Sequence, residues 1–531
     1  MQSNVDFNPA HPALTSDTTS APKSVLIVGG GPAGLTAAYE LGKRGTRAIV
    51  LEASDQVGGI ARTEQYKGYR FDIGGHRFFT KVDEVNQLWQ EVMGSRFIKV
   101  PRLSRIYYDG KFFSYPLQMM DTLNNLGLRE SARILLSYLK VKVLPVKQEE
   151  SLEDWVTNRF GRRLFQTFFK TYTEKVWGIP CEKIQADWAA QRIKGLSLRT
   201  AVLNAMFQVN STKTLIKEFD YPVLGPGEMW ELFSTRIKQQ GGDVQLQSSV
   251  VQLNRSGYRL TSAIVRQAGK LVEMPTEQVI SSMPVTLLVR QLQPPAPPEV
   301  LEAARSLKYR DFLIVPIVIN RADLFPDNWI YIHSPEVKVG RIQNFKNWSM
   351  AMVPDETKTC LGMEYFCSEG DELWELSDTD LLDLATREIE QLGLARAEEV
   401  EDGTVIRQPK AYPVYDRDYR LHLEVLQTYL TKFENLQTIG RNGMHRYNNQ
   451  DHSMLTAILA VRNLFGEQHD LWTVNAERSY HENFTKEEWE ARTRPGSLEH
   501  PVAVDRIPYC PPAIGSPVVE PTTEAGIAVL N

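Results

Sequence analysis

The spacing of apolar residues divides the chain into a βαβ start, a helical stretch and a strand-rich second half. An apolar run at residues 25–28 breaks into glycines and continues as an alanine-rich helical pattern. A second apolar run, at residues 48–51, ends in Glu52. This order predicts a strand, a helix and a second strand that pairs with the first.

The later pattern changes twice. Residues 101–213 carry aromatic residues and leucines at helical spacing and are predicted to be mostly helical. Within them, Ser151 followed by Asp154 predicts a capping box at a helix start. From about residue 258, "LTSAIVRQ", "QVISSMP" and "FLIVPIVIN" predict strands. "DLLDLATREIEQLG" predicts a helix between strands, and "SMLTAILAVRNLF" predicts a late helix.

Composition narrows the class of protein. The 531 residues are 42% hydrophobic and 24% charged, which is ordinary for a globular protein of about three or four domains. A net charge of −5 provides no field for nucleic acid or an anionic membrane. No apolar run approaches the ~18 residues of a membrane span. The four cysteines form no C-x-x-C pair, which predicts reduced thiols, a cytoplasmic location and no metal site.

A dinucleotide fingerprint follows the first predicted strand. Gly29, Gly31 and Gly34 form G-x-G-x-x-G at the mouth of the predicted helix. The first glycine allows a tight turn, the second lets a pyrophosphate approach the backbone, and the third lets helix and strand pack closely. Glu52 lies 18 residues beyond Gly34, where a carboxylate accepts hydrogen bonds from ribose hydroxyls.

A second glycine pair favours FAD over NAD. Gly58 and Gly59 follow Glu52 closely and precede Arg62. This extension resembles the FAD-binding amine-oxidase superfamily, in which it continues along the flavin's pyrophosphate and ribityl chain. NAD dehydrogenases lack it, and an ordinary glycine turn is the alternative.

Further segments over residues 24–470 resemble, in order, the UDP-galactopyranose mutases. They include "FDIGGHRFF", "RIYYDGKFFSYPLQ", "TEKVWGIP", "NWIYIHSPEVKVGRIQNF", "AYPVYD" and "GRNGMHRYNNQDHSM". The resemblance implies an α/β fold: a Rossmann-like FAD-binding domain of the amine-oxidase type, an inserted helical domain and an antiparallel sheet substrate domain. The expected parts are a disordered arm at 1–23, FAD-binding segments at 24–100, 214–285 and 431–475, a helical substrate domain at 101–213, the sheet domain at 286–430 and a C-terminal extension at 476–531.

The motifs and the resemblance together imply the residues of the site. FAD is expected to contact Gly29, Gly31, Pro32, Ala33, Gly34, Glu52, Gly58, Gly59, Arg62, Gly74, Gly75, His76, Arg441, Asn449, Gln450, Asp451 and Ser453. A base pocket and diphosphate clamp are expected from Tyr115, Gln118, Trp177, Arg192, Tyr331, Arg341, Tyr412 and Tyr447. The expected catalytic residues are His76, Arg192 and Arg341.

Each of these assignments has a plainer alternative. The planar fork of arginine donates bidentate hydrogen bonds to phosphate and stays charged, but a single arginine is more often a surface charge. The aromatic residues could simply pack in the core, and His76 could sit in an ordinary glycine turn. Asp451 or Ser453 could serve as the N-cap of the late helix.

The resemblance implies a redox-neutral reaction. In that family, reduced flavin attacks the anomeric carbon of a UDP-sugar through N5 while UDP leaves, and pyranose and furanose forms interconvert. The expected substrate is a small nucleotide-diphosphate sugar, with NAD(P)H as a candidate reductant. A homo-oligomer is compatible with the sequence. The protein's work would be positioning and charge stabilisation.

Several departures keep other functions open. Arg77 stands where the mutases carry an aliphatic residue, and Thr173 stands where the eukaryotic mutases place an asparagine facing the uridine. Pro226 and Glu228 alter the glycine-rich flavin loop. A mutase-like enzyme with a different nucleotide or sugar fits these changes. The alternatives are a redox flavoenzyme (oxidase, dehydrogenase or desaturase), which an apolar pocket without arginine would favour, and a non-catalytic binding protein.

Overall fold

The computed structural model describes residues 22–115, 117, 119–186, 213–214, 217–475 and 484–485. Apart from the two-residue strand Phe484–Thr485, which ends in the second unit, the elements below belong to the first of two units, residues 1–484. A five-stranded parallel sheet organises the FAD-binding part, and its first two strands pair in parallel with Leu26 opposite Ile49. In spatial order its strands are Asp243–Gln245, Arg47–Leu51, Ser24–Val28, Val279–Ser281 and Leu436–Thr438.

Apolar clusters cover both faces of this sheet, as parallel sheets require. One face packs against helices Pro32–Lys43, Asp83–Met93, Pro226–Gln239 and Gln450–Leu464. The other face packs against helices Val285–Arg290, Pro298–Ser306 and Tyr419–Leu430 and a small sheet of strands Lys270–Pro275, Arg259–Gln267, Ser248–Ser256 and Leu292–Gln293. The α/β fold class is therefore as expected.

An eight-stranded mixed sheet forms the second part. Its longest strand is Tyr309–Ile319, which pairs antiparallel with Thr359–Cys367. The remaining strands are Val400–Gly403, Ile406–Pro413, Arg341–Asn344, Trp329–Ile332, Ser104–Tyr108 and Lys111–Ser114. Trp329–Ile332 and Ser104–Tyr108 run parallel, so the sheet is not wholly antiparallel. Helix Asp378–Gln391 covers its apolar face.

The helical part holds a separate apolar cluster. It comprises helices Met119–Leu126, Leu128–Val143, Leu152–Phe160, Arg162–Phe165 and Thr171–Trp177, with a π-helical turn at Gln166–Lys170. The capping box is confirmed: Ser151 Oγ accepts from the Asp154 N–H at 3.2 Å, and the Asp154 carboxylate accepts from the Ser151 N–H at 3.1 Å. The other predicted strands and helices quoted above are confirmed to within a few residues.

Shorter elements complete the described chain. Strands Thr63–Tyr66 and Tyr69–Asp72 form a hairpin, and Phe97–Pro101 pairs with Glu218–Pro222. The remaining elements are Gly59–Ala61, Gly94–Arg96, Cys181–Lys183, Lys213–Thr214, Phe345–Asn347, Met350–Met352, Glu372–Glu375, Ala397–Glu399, Gly440–Gly443, Leu471–Thr473 and Phe484–Thr485. In the part of the chain that the structure describes, no helix has the length and apolar character needed to cross a membrane.

The structure corrects two of the expected boundaries. Residues 101–213 do not begin as a helical domain, because strands Ser104–Tyr108 and Lys111–Ser114 join the eight-stranded sheet. Residues 286–430 are not one sheet domain, because the helices at Pro298–Ser306 and Tyr419–Leu430 pack on the FAD-binding sheet. Both boundaries were misplaced for the same reason. These segments pack against partners that lie far away along the chain, so the local sequence pattern does not show where they belong.

Candidate active site

A tightly packed glycine loop joins the first strand to the first helix. A Cβ atom at Gly34 would lie 1.9 Å from the carbonyl oxygen of Gly29, so only glycine lets the helix approach the strand. Helix Pro32–Lys43 begins at Gly31, and no side chain among the described residues caps it. Its first-turn N–H groups and its dipole are thus presented to an anion. This loop fits the pyrophosphate of FAD.

The second glycine pair packs against the first loop, backbone to backbone. The Gly58 N–H donates to the carbonyl oxygen of Gly30 at 2.8 Å. A Cβ atom at Gly59 would lie 3.2 Å from Gly31 Cα. Gly58 and Gly59 both have positive φ, 106° and 55°, which favours glycine. The two glycine motifs therefore form one cradle.

Glu52 and Arg62 border this cradle. The Glu52 carboxylate, at the end of its strand, accepts from the Gly30 N–H at 2.6 Å and from the Ser54 hydroxyl at 2.7 Å. It thus lies at the glycine loop, where a ribose-binding carboxylate is expected. Arg62 donates to the Gly59 carbonyl at 2.9 Å and to Gln408 Oε1 at 2.7 Å. Arg62 therefore links the cradle to the eight-stranded sheet.

The glycine–histidine turn meets side chains of the eight-stranded sheet. Gly74 has φ of +88°. A Cβ atom built on it would lie 3.5 Å from Arg341 Nη2 and 3.9 Å from both His76 Nε2 and the Tyr412 hydroxyl. Gly75, the next residue, is exposed. Three residues that the resemblance implies for the site, from separate segments of the chain, thus meet around one glycine.

His76 is held as a neutral ring. Its Nε2 lies 2.8 Å from the Ile73 carbonyl oxygen, which can only accept, so Nε2 carries the proton. Burial, together with the nearby Arg441 and Arg341 guanidiniums, lowers the pKa of His76 to about 4. The histidine therefore adds no positive charge to the site at neutral pH.

Arg341 is positioned by a buried carboxylate. Its Nε donates to Oε2 of Glu364, and Gln343 Nε2 donates to Oε1 of the same group. Glu364 is fully buried, and the Arg341 side chain is 17% exposed. Burial acts to lower the pKa of Arg341, but the Glu364 carboxylate outweighs it and raises the pKa well above its ordinary value. Arg341 is thus a fixed cation whose Nη2 lies at the glycine–histidine turn.

Aromatic rings form the wall around Arg341. Tyr412 stacks on Tyr447 with centroids 5.6 Å apart and an interplanar angle of 15°. The Arg441 guanidinium carbon lies 4.7 Å from the Tyr447 ring centroid and 5.6 Å from that of Tyr412. The ring centroid of Trp177 lies 6.5 Å from that of Tyr447. Tyr331, which lies opposite Arg341 on the neighbouring strand, packs on Tyr115 with ring centroids 4.8 Å apart.

Six of the eight expected substrate residues therefore join in one connected cluster. The six are Tyr115, Trp177, Tyr331, Arg341, Tyr412 and Tyr447. Gln118 and Arg192 lie outside the described residues, so their expected contacts stay predictions.

The start of the late helix differs in detail from the expectation. Asn449, not Asp451 or Ser453, is the N-cap, and it forms a capping box with His452. Gln450 Oε1 accepts from the Trp230 indole N–H at 3.2 Å. Asp451 and Ser453 are buried in the first turn. The cap falls at Asn449 because its extended backbone makes it the last non-helical residue.

Several contributors were missed by the sequence reasoning. Glu364 is the single carboxylate in the apolar strand sequence "TCLGMEYFC". A charged residue in such a strand indicates a buried carboxylate that needs a partner, and this signal could have identified it. Tyr172 stacks on His333 with centroids 4.9 Å apart and lies edge-on to Tyr331 at 5.4 Å. Neither Tyr172 nor His333 carries a local motif that sets it apart from a core aromatic residue.

Asp72, just before the glycine–histidine turn, holds a buried hydrogen-bond network together. Its buried carboxyl accepts from the Tyr221 hydroxyl and from Thr63 Oγ1, the latter at 2.9 Å. Burial raises the pKa of Asp72 to about 7. Thr63 Oγ1 in turn accepts from the Gly227 N–H at 2.9 Å. This network ties the hairpin to the altered flavin loop around Gly225.

The departures from the mutase pattern fall at different places. The Arg77 guanidinium carbon lies 5.4 Å from the Trp329 ring centroid. Thr173 is buried in helix Thr171–Trp177. Glu228 accepts from the Leu224 N–H at 3.2 Å and pairs with Arg96 at 3.4 Å. Glu228 therefore stabilises the start of its own helix, Pro226–Gln239.

Comparisons with known proteins agree on a flavoprotein family. Residues 32–414 match the family model of flavin-containing amine oxidoreductases. An L-amino-acid oxidase of Crotalus adamanteus is 24% identical over 321 residues, 55% of this chain and 57% of that protein. A probable UDP-galactopyranose mutase of Klebsiella pneumoniae is 26% identical over 175 residues, 31% of this chain and 44% of that protein. The chain thus spans about half the length of these curated relatives.

Among solved structures, reduced UDP-galactopyranose mutase matches with a TM-score of 0.75 at 20% identity. The match covers 86% of this chain and 98% of that chain. A putative protoporphyrinogen oxidase from Exiguobacterium matches with a TM-score of 0.64 at 16% identity, over 85% of this chain and 100% of that chain. At these identities the likeness concerns the fold.

Proposed function

The chain belongs to the flavin-containing amine oxidoreductase family, and we propose that it is a FAD-dependent mutase-like enzyme acting on a nucleotide-diphosphate sugar. In this proposal it interconverts the pyranose and furanose forms of the sugar. Because family and fold do not fix the reaction, the proposal is argued from the side chains at the glycine–histidine turn.

The observation that carries the proposal is the position of Arg341. Its guanidinium lies at Gly74, next to the Tyr412 hydroxyl, and Arg441 lies against the Tyr412 and Tyr447 rings. Guanidinium groups and phenol hydroxyls donate hydrogen bonds to phosphate oxygens. An apolar pocket without arginine would have favoured a purely redox substrate. The site instead suits an anion.

Each side chain has a definable part in such a reaction. Bound reduced FAD would supply a nucleophilic nitrogen for the anomeric carbon. Arg341 would hold the diphosphate and stabilise the charge that develops on it as the glycosidic bond breaks, and Arg441, which is expected to contact FAD, would add positive charge nearby. Burial, with Tyr447 close by, raises the pKa of Tyr412 to about 12, so its hydroxyl stays a donor at neutral pH. Neutral His76 would leave the diphosphate to the arginines.

A redox flavoenzyme is the second candidate, for one specific reason. Arginine forms bidentate hydrogen bonds with carboxylates and with phosphates, and the curated relatives include L-amino-acid oxidases. Arg341 could therefore hold the carboxylate of an amino acid. The two candidates differ in the ligand and in the fate of the flavin, because an oxidase substrate reduces the flavin stoichiometrically.

Ligand binding tests the proposal. Oxidised holoenzyme is titrated with UDP and with L-amino acids while its flavin absorbance is followed. We expect UDP to bind and Arg341→Ala to weaken binding about 10- to 100-fold, the loss of a charged hydrogen bond, with FAD retained. Arg259→Ala, at an exposed ion pair, is the matched control. Unchanged UDP affinity in Arg341→Ala, or bleaching of the flavin by an amino acid, would reject the proposal.

A further inference from the structure

One helix of the helical part and the three residues after it expose a dense apolar stripe. Fifteen large apolar side chains are exposed in the described part of the chain, and seven of them lie within residues 128–146. We call this set the outer leucine stripe: Leu128, Leu135, Leu136, Leu139, Val143, Leu144 and Val146. Leu128 is 93% exposed and Val143 77%. Scattered exposed leucines are normal, but such clustering marks an interaction surface.

The stripe is not the packing face of its helix. In helix Leu128–Val143, Leu128, Leu135 and Leu139 are spaced by seven and four residues and share one face. Ile134 and Val141, on the opposite side, are the buried residues of the helix. The helix is therefore apolar on two faces: one joins the core of the helical part, and the other is presented to the surroundings.

Basic residues flank the stripe. Residues 128–147 include five basic side chains and a single acidic one, Glu130. Glu130 is already engaged by Arg163 and Arg133. The segment is thus locally positive in a chain whose net charge is −5. The basic residues are Arg129, Arg133, Lys140, Lys142 and Lys147.

We propose that the outer leucine stripe docks the protein on an anionic lipid bilayer. The leucines would enter the boundary between headgroups and acyl chains, and the basic residues would contact lipid phosphates, as in interfacial amphipathic helices. A second copy of this chain is the less suitable occupant. A two-fold contact would place the same basic flank against itself, whereas an anionic lipid surface complements it.

Vesicle co-sedimentation of the full-length holoenzyme tests this attachment. Vesicles of phosphatidylcholine with about one third phosphatidylserine are compared with phosphatidylcholine alone. Leu135→Gln/Leu139→Gln removes apolar contact, and Arg129→Gln/Lys140→Gln removes charge. The matched control, Leu421→Gln/Val425→Gln, changes two exposed apolar residues four positions apart on helix Tyr419–Leu430. Bound flavin and the melting temperature verify that each variant is folded.

We expect binding to the anionic vesicles that weakens with salt. The charge variant should bind about 30-fold more weakly, since each basic side chain near an anionic surface is worth about fivefold. The leucine variant should lose at least about tenfold, and the control should match wild type. Equal binding to neutral vesicles, or no binding to either, overturns the proposal. So does a dimer that the leucine variant dissociates in light scattering, since the stripe would then be a protein interface.

Discussion

Glu364→Gln tests whether Arg341 depends on its buried partner. The substitution keeps the shape of the side chain and removes its charge. Glu364 is fully buried and receives hydrogen bonds from Arg341 and Gln343. Breaking a buried ion pair from one side costs about 3–5 kcal/mol, because the other charge stays buried. The amide oxygen of glutamine can still accept one hydrogen bond, so we expect a loss of about 3 kcal/mol.

The same change should alter how the protein responds to an anion. With Glu364 neutralised, the positive charge of Arg341 has no buried counter-charge. Saturating UDP should therefore raise the free energy of unfolding of the variant by more than it raises that of wild type. Urea unfolding of the holoenzyme, with and without UDP, measures both effects. Glu434→Gln, at an exposed ion pair, is the control and should cost less than about 1 kcal/mol. A loss in Glu364→Gln as small as the control's, or an equal response to UDP, would refute the reasoning.

The remaining predictions concern the cofactor cradle, pH and a helix cap. Gly34→Ala should unfold the FAD-binding part, because its Cβ would lie 1.9 Å from a carbonyl oxygen. Gly31→Ala, whose nearest contact would be 3.7 Å, should fold but fail to retain flavin; full flavin content after gel filtration would contradict this. The folded pKa of His76 is lowered to about 4, so its stabilisation is complete above pH 6.5 and lost as pH falls toward 4. The loss is up to about 3 kcal/mol, and His76→Asn should flatten the urea-unfolding pH profile between pH 4 and 6.5. Ser151→Ala should cost about 1 kcal/mol in urea unfolding through loss of the cap, and no change would argue against the capping box.

Local features of the fold could be predicted from the sequence. The glycine spacing around Gly34 and the pairing of Ser151 with Asp154 act within a few residues, so short segments contain the information. The strand at Ser104–Tyr108 could not be placed in this way. Its parallel partner, Trp329–Ile332, lies over 200 residues further along the chain, and only tertiary packing decides that pairing.

The candidate site shows the same division. The tyrosines and arginines could be nominated through resemblance, but the Arg341–Glu364 pair depends on two neighbouring strands in register. The net charge of the chain likewise gave no indication of the membrane attachment proposed above. The net charge is a sum over the whole chain, so the positive charge of residues 128–147 is cancelled by acidic residues elsewhere. A pattern along the sequence does not show which distant residues folding brings together.

Product formation per flavin tests the central claim most directly. The holoenzyme is reduced with dithionite under anaerobic conditions and supplied with UDP-galactopyranose and other nucleotide-diphosphate sugars, and furanose product is counted per enzyme-bound flavin. A redox-neutral mutase should form many furanose molecules per reduced flavin and none when the flavin is oxidised. The contrary result is no furanose from any of these sugars, together with stoichiometric reduction of the oxidised flavin by another substrate such as an L-amino acid.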